Sequence, residues 1–134
     1  YISGYINQNK SEYYRCLLNV TTQNQWKEYL IFMLKGYCQQ AKYTKEMIYK
    51  IRNLYFSLKE NLKTNHKNIY NTDLVESLFT YPIISPVRLG AEMGVHYTTA
   101  SRYLKSLEKA GILVSKRVGT YHLYAYKDLL TILH

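Results

Sequence analysis

Residues 85–113, SPVRLGAEMGVHYTTASRYLKSLEKAGIL, hold most of what the sequence says about the fold. Ser85 can cap a helix by accepting a hydrogen bond from a first-turn amide. Pro86 suits the first helical position, where its missing N–H costs nothing. Val87, Leu89 and Met93 supply apolar contacts, and Gly94 ends the helix in a tight turn. A further helix is predicted from about Tyr97 to Ala110. Ala100, Tyr103, Leu104 and Leu107 form its buried stripe, and Gly111 closes it.

Upstream, Asp73 with Glu76 three residues later can open a helix. Leu74, Val75, Leu78 and Phe79 give it an apolar face, and Tyr81-Pro82 stops it. Downstream, Leu113 to Arg117 and Tyr121 to Tyr126 read as two strands around a turn at Gly119-Thr120. Asp128 to Leu133 reads as a closing helix.

Helix, helix, turn, helix and a two-stranded wing together resemble the winged helix-turn-helix family. Gly94 sits at the turn and Ala100 is small where helices cross. Leu104, Leu107 and Ala110-Gly111-Ile112 complete the pattern. His96 departs from it, because Ser or Thr is the usual cap there. The resemblance implies that the third helix of this domain enters a major groove. Tyr97, Thr98, Ser101, Arg102 and Lys105 would then face the DNA. Arg102 carries a rigid fork of donors suited to a base edge or a phosphate. Lys105 and the small hydroxyls suit phosphates. Lys116 and Arg117 on the first wing strand, with Tyr121 and His122 on the second, could reach a minor groove or the backbone. Winged helices also serve as protein-docking or dimerisation modules, and that alternative stays open. From residue 67 onward eight Lys and Arg face five Asp and Glu, a net charge of +3.

The rest of the chain is helical. Residues 25–63 contain no proline and a single glycine, Gly36. Tyr37, Thr44, Ile51 and Leu58 recur every seven residues, in register with Ala41, Ile48, Tyr55 and Leu62. Both sets fall on one stripe of a helix. A continuous helix here would be roughly 58 Å long. It must pack on another domain or on a second copy of itself, which makes a homodimer through the long helix one expectation. Trp26, Leu30, Met33 and Leu34 widen its N-terminal half, which is expected to be the more deeply buried. Residues 1–22 read as one or two short helices, the second capped by Ser11. Tyr14, Leu17 and Leu18 share a face of it, and Thr21 to Asn24 suit a turn. The polar stretch TNHKNIYN, residues 64–71, reads as a linker. It sets expected domains of 1–66 and 67–134. The fold class is therefore mainly α: a helical bundle segment with one long helix, then a winged helix-turn-helix with a small β-hairpin.

Composition narrows the partners. Eighteen Lys and Arg against nine Asp and Glu give a net charge of +9, which favours an anionic partner, nucleic acid above all. The sixteen tyrosines suit helix packing, with wet hydroxyls at core edges, and leave base stacking as the alternative. Cys16 and Cys38 are too widely spaced for a zinc ligand set or a disulfide framework, which fits a reducing cytoplasm. No apolar run is long enough to span a bilayer and no signal peptide is visible, so no membrane partner is expected. The chain opens on Tyr1 and is expected to be part of something longer.

The front half, YISGYINQNKSEYYRCLL followed after a short turn by QWKEYLIFMLKGYCQQA, resembles the segment after the catalytic loop of Fic-family proteins. Tyr13-Tyr14, Trp26, Phe32, Gly36 and Ala41 carry that resemblance, and a winged helix after the long helix is a common Fic arrangement. Fic proteins mostly transfer AMP from ATP to a target hydroxyl. Their active loop needs a His base, an acidic residue for Mg²⁺ and a Gly-Asn-Gly-Arg run. No such run occurs here, and His66, His96, His122 and His134 lie in no Gly-rich loop. The inhibitory helix motif of many Fic proteins is missing as well. The resemblance thus implies a non-catalytic C-terminal portion, with no cofactor of its own. ATP and Mg²⁺ would belong to the parent enzyme, which would modify a protein target. Tyr13 and Tyr14 match positions that help line the adenine pocket. Two other readings compete: a stand-alone DNA-binding regulator dimerising through the long helix, and a pure interaction module.

Overall fold

The computed structural model describes residues 1–133, leaving His134 outside. The chain divides into two compact units, Tyr1–Ile48 and Tyr49–His134. The division falls within a helix, α3 (Trp26–Asn65), whereas composition alone suggested residues 66 and 67. No described helix is long and apolar enough to cross a membrane.

The second unit is built on the end of α3, four further helices and a small sheet. Asn71 caps α4 (Thr72–Thr80), its Oδ1 accepting from the Asp73 N–H at 2.9 Å. The start is thus two residues earlier than Asp73 suggested, since Asn is the better-placed acceptor. Ser85 caps α5 (Pro86–Met93) as expected, accepting from the Arg88 N–H at 3.2 Å. Gly94 follows at φ 64°, in the left-handed region that glycine occupies without strain. Then comes α6 (Tyr97–Lys109), capped by His96. The wing is β2 (Val114–Val118) and β3 (Tyr121–Ala125), paired antiparallel with Val118 opposite Tyr121. A two-residue strand, β1 (Ile83–Ile84), adds to the other edge of β3 and gives the order β1-β3-β2. The Tyr126 N–H donates to the Pro82 carbonyl at 2.8 Å and extends that junction. The closing helix is α7 (Lys127–Leu133).

Fourteen buried residues make one core here, from Leu58 and Leu62 on α3 to Leu129 on α7. Ala100, Leu104 and Leu107 are fully buried, as the α6 stripe required, with Tyr103 half-buried. Val87 is the exception to the expected pattern. It is 69% exposed, because Leu89 and Gly90 hold the buried side of α5. The polar stretch 64–71 is no loose linker: α3 runs to Asn65, and Ile69 and Tyr70 pack against the core.

The first unit is all helix. After α1 (Ile2–Gln8), Asn9 interrupts the chain and α2 (Lys10–Gln23) begins at once. Ser11 therefore lies inside α2 instead of capping it. Thr21 and Thr22 are helical too, their hydroxyls donating to the Leu17 and Leu18 carbonyls at 2.9 and 2.8 Å. That back-bonding satisfies the hydroxyls within a helix. The turn contracts to Asn24, in the left-handed region at φ 57°. Phe32 and Gly36 are buried on α3 beneath Tyr5 and Ile2, while Trp26, Leu30 and Leu34 are exposed. The expectation that this half of α3 is the more deeply buried is thus reversed. Leu58 and Leu62, near its other end, are the better covered, because they face a complete core.

Candidate nucleic-acid interface

Local backbone chemistry sets the presentation of α6. Gly90 lies where α5 meets the turn, and a Cβ there would stand 2.8 Å from the Val95 carbonyl oxygen. Only glycine permits that approach. His96 Nδ1 lies 2.9 Å from the Thr98 hydroxyl and 3.5 Å from the Thr98 amide. The ring thus stands in for the usual hydroxyl cap. With Ala100, Leu104 and Leu107 buried, the opposite side of α6 must face outward.

That outer side is a shallow groove of ≈ 410 Å³ lined by Thr98, Ser101, Arg102, Lys105, Ser106 and Lys109. Three are cations, three are hydroxyls and none is a carboxylate. Glu108 lies apart, accepting a hydrogen bond from the Ser115 hydroxyl on the wing. Arg102, Lys105 and Lys109 form no ion pair among the described residues, nor do Lys116 and Arg117.

A second groove, of ≈ 600 Å³, runs between the start of α5, α6 and the tip of the wing. Pro86, Val87, Ala91, Tyr97 and Tyr121 give it apolar walls, and Arg88, Lys105 and His122 border it. Val87 and Tyr121 are each 69% exposed and Tyr97 is 53% exposed. Arg88 is held in place: its guanidinium lies 4.5 Å from the Tyr81 ring centroid, bonds the Tyr81 hydroxyl, and pairs with Glu92 at 2.9 Å. The Tyr81 hydrogen bond, then the charge of Glu92, raises the pKa of Arg88 further.

The structure thus brings together Tyr97, Thr98, Ser101, Arg102, Lys105 and Tyr121 of the expected contact residues, Ser101 and Lys105 lining both grooves. Lys116 and Arg117 are exposed on β2 but line neither groove. Sequence reading missed Ser106 and Lys109 as site residues. The helical step from Arg102 and Lys105 would have found them. It also missed Arg88 and the exposed side of Val87.

In the first unit, Tyr13 and Tyr14 stand at different depths. Tyr13 is half-buried, its ring 6.0 Å from Phe32 and 6.3 Å from Tyr29. Tyr14 meets Tyr13 edge-on at 5.6 Å and is otherwise exposed. Burial, then Tyr13, raises the Tyr29 pKa. Among the described residues no group of three or more His, Cys, Asp or Glu could hold a metal ion.

Residues 54–129, more than half of the chain, match the family described as protein adenylyltransferase SoFic-like, C-terminal domain. The matched span contains every residue of both grooves.

Proposed function

The chain belongs to the SoFic-like C-terminal domain family of Fic proteins, the non-catalytic end of such proteins, and from there we propose that it is the DNA-holding module of an AMP-transferring enzyme. The observation that carries this reading is the outer side of α6. Thr98, Arg102, Lys105 and Lys109 lie one helical turn apart on a groove without carboxylates. Cations that form no ion pair among the described residues, set beside hydroxyls, are what phosphate oxygens require. Arg102 would reach a base edge as well, and Lys116 and Arg117 would extend the contact along the backbone.

The parent's chemistry would lie in the Fic active loop, with ATP and Mg²⁺ as its reactants and a protein hydroxyl as acceptor. This chain has no Gly-Asn-Gly-Arg run, the element that would hold the ATP phosphates in that loop. Of the two tyrosines that the Fic resemblance places near adenine, Tyr14 is the one with an exposed ring. Tyr13 supports it from below. The family match favours this reading over a stand-alone regulator.

Fluorescence anisotropy with a labelled random-sequence duplex, repeated across salt concentrations, tests the DNA reading. Each neutralised phosphate contributes a slope of about −0.9 in log K against log salt. Arg102→Ala with Lys105→Ala should flatten the slope by ~2. Binding that ignores salt, or a double variant that binds like the parent chain, would remove the proposal. For the enzymatic half, the chain joined to an upstream Fic loop should label a protein target with AMP, and the chain alone should not.

A further inference from the structure

The second groove has a chemistry that the first lacks, and the phosphate argument does not account for it. A DNA backbone calls for cations and hydroxyls, yet Val87, Tyr97 and Tyr121 expose apolar surface side by side. Exposed apolar clusters of this kind mark contact surfaces. The lining includes no Asp or Glu, while Arg88, Lys105 and His122 border it, so its charge suits a polyanion. Tyr97, Ser101 and Lys105 sit on α6 itself, which ties the groove to whatever α6 enters. In a major groove one base edge is apolar: thymine, through its 5-methyl group.

Resting on the DNA reading above, we infer that this groove is a thymine-methyl pocket. Val87 and Tyr97 form its walls, Tyr121 closes it from the wing, and Lys105 holds a flanking phosphate. Tyr81 and Glu92 keep Arg88 from swinging across the apolar floor. Sequence preference would then come partly from apolar contact, in addition to any hydrogen bonds made by Arg102.

The test uses the 134-residue chain. Duplexes are selected from a random library for tight binding, then resynthesised with deoxyuridine in place of thymidine. Each methyl that enters the groove should be worth roughly four-fold in affinity, the equivalent of ~0.8 kcal/mol for one buried methylene-sized group. In Val87→Ser and Tyr97→Ser, both at exposed positions, the thymidine-to-deoxyuridine ratio should fall toward one. Circular dichroism confirms that the variants fold. A ratio of one in the parent chain, or an unchanged ratio in both variants, overturns the pocket and leaves DNA binding intact. That outcome would hand the groove to an apolar segment of a protein partner. No selectable duplex at all would overturn the DNA reading with it.

Discussion

The two units solve the same problem, holding amphipathic helices in place, with very different amounts of core. Among the described residues of the second unit, fourteen buried side chains gather into one cluster fed by five helices and the sheet. Residues 1–48 bury Cys16 and Phe32 among their large side chains and leave Trp26, Leu30, Leu34 and Tyr37 open. What holds the first unit is aromatic edge packing, Tyr5 on Phe32 at 5.2 Å for example, and a close helix approach at Gly36. Its Arg15 pairs with Glu12 and Glu28 at 2.6 and 3.1 Å, yet all three are half-exposed. Exposed pairs of that kind contribute little. Most of the stability is therefore expected to reside in the second unit, because apolar burial is the dominant favourable term in folding.

The sharpest way to break this contrast is to open a cavity in the second unit. Leu104→Ala should destabilise it by ~3 kcal/mol, the usual range for a fully buried leucine. The single tryptophan, Trp26, reports the first unit separately. Urea unfolding should show the α6 amides losing protection early while the Trp26 emission transition moves less. Equal shifts in both probes would mean that the units unfold as one, and the contrast would fail.

Two buried glycines offer a matched pair. A methyl at Gly90 meets a backbone oxygen, Val95 O at 2.8 Å. A methyl at Gly36 meets side chains, Tyr5 Cδ1 at 2.6 Å and Ile2 Cδ1 at 2.7 Å. Backbone in a tight turn cannot retreat, whereas a ring and a methyl on a thinly packed helix can. Gly90→Ala is expected to cost ~2 kcal/mol, within the range for overpacking. Gly36→Ala should cost less, since side chains shift more readily than backbone and alanine regains ~1 kcal/mol of helix propensity. Thermal melts of both variants decide it. A larger loss at Gly36 would mean that the first unit is packed more rigidly than its burial implies.

The same contrast explains what was legible beforehand. The helix-turn-helix could be read because its punctuation is local: Ser85-Pro86, Gly94 and Gly111 act on their own backbone. Its stripe of Ala100, Leu104 and Leu107 has one period. The long helix was legible for the same reason, as an unbroken repeat. Which part of that repeat is covered was not, because coverage depends on elements distant in sequence. Ile51, Tyr55 and Leu58 pack into the core, Tyr55 against Phe79 and Phe79 in turn against Tyr126, while Ile48 stays exposed. The strand β1 was illegible because two isoleucines become a strand only through Tyr124 and Ala125, some forty residues on. Of the candidate site, the α6 residues followed from helical spacing alone. The apolar groove did not, since it exists only once the wing brings Tyr121 near Val87.

Alkali should strike the second unit first. Burial, then Asp128, pushes the Tyr126 pKa up to about 12, above the ordinary value near 10. Below pH 10 both folded and unfolded chains keep the proton, and the stabilisation is complete. Between pH 10 and 12 the unfolded chain ionises first, so stability falls, by at most ~1.4 kcal/mol per pH unit for this one proton. Tyr126→Phe should flatten that decline in urea titrations at pH 9 to 11.5. A slope unchanged by the substitution would assign the alkaline loss elsewhere, and the raised Tyr29 of the first unit would be the next residue to replace.

The smallest effect has the most informative sign. Tyr124 is fully buried on β3, its ring stacked on His122 at 5.0 Å, and its hydroxyl has no hydrogen-bond partner among the described residues. Burial, then Glu108, raises its pKa, so the phenol stays neutral. An unpaired buried hydroxyl gives up its hydration for nothing in return. Tyr124→Phe should thus leave stability unchanged or raise it by ~0.5–1 kcal/mol, where truncating a satisfied tyrosine would lower it. A clear loss on Tyr124→Phe in chemical denaturation would mean that an ordered water links the phenol to Glu108. The core beneath the wing would then be held in part by a polar network, and the contrast between an apolar-cored second unit and an aromatic-edged first unit would need redrawing at that point.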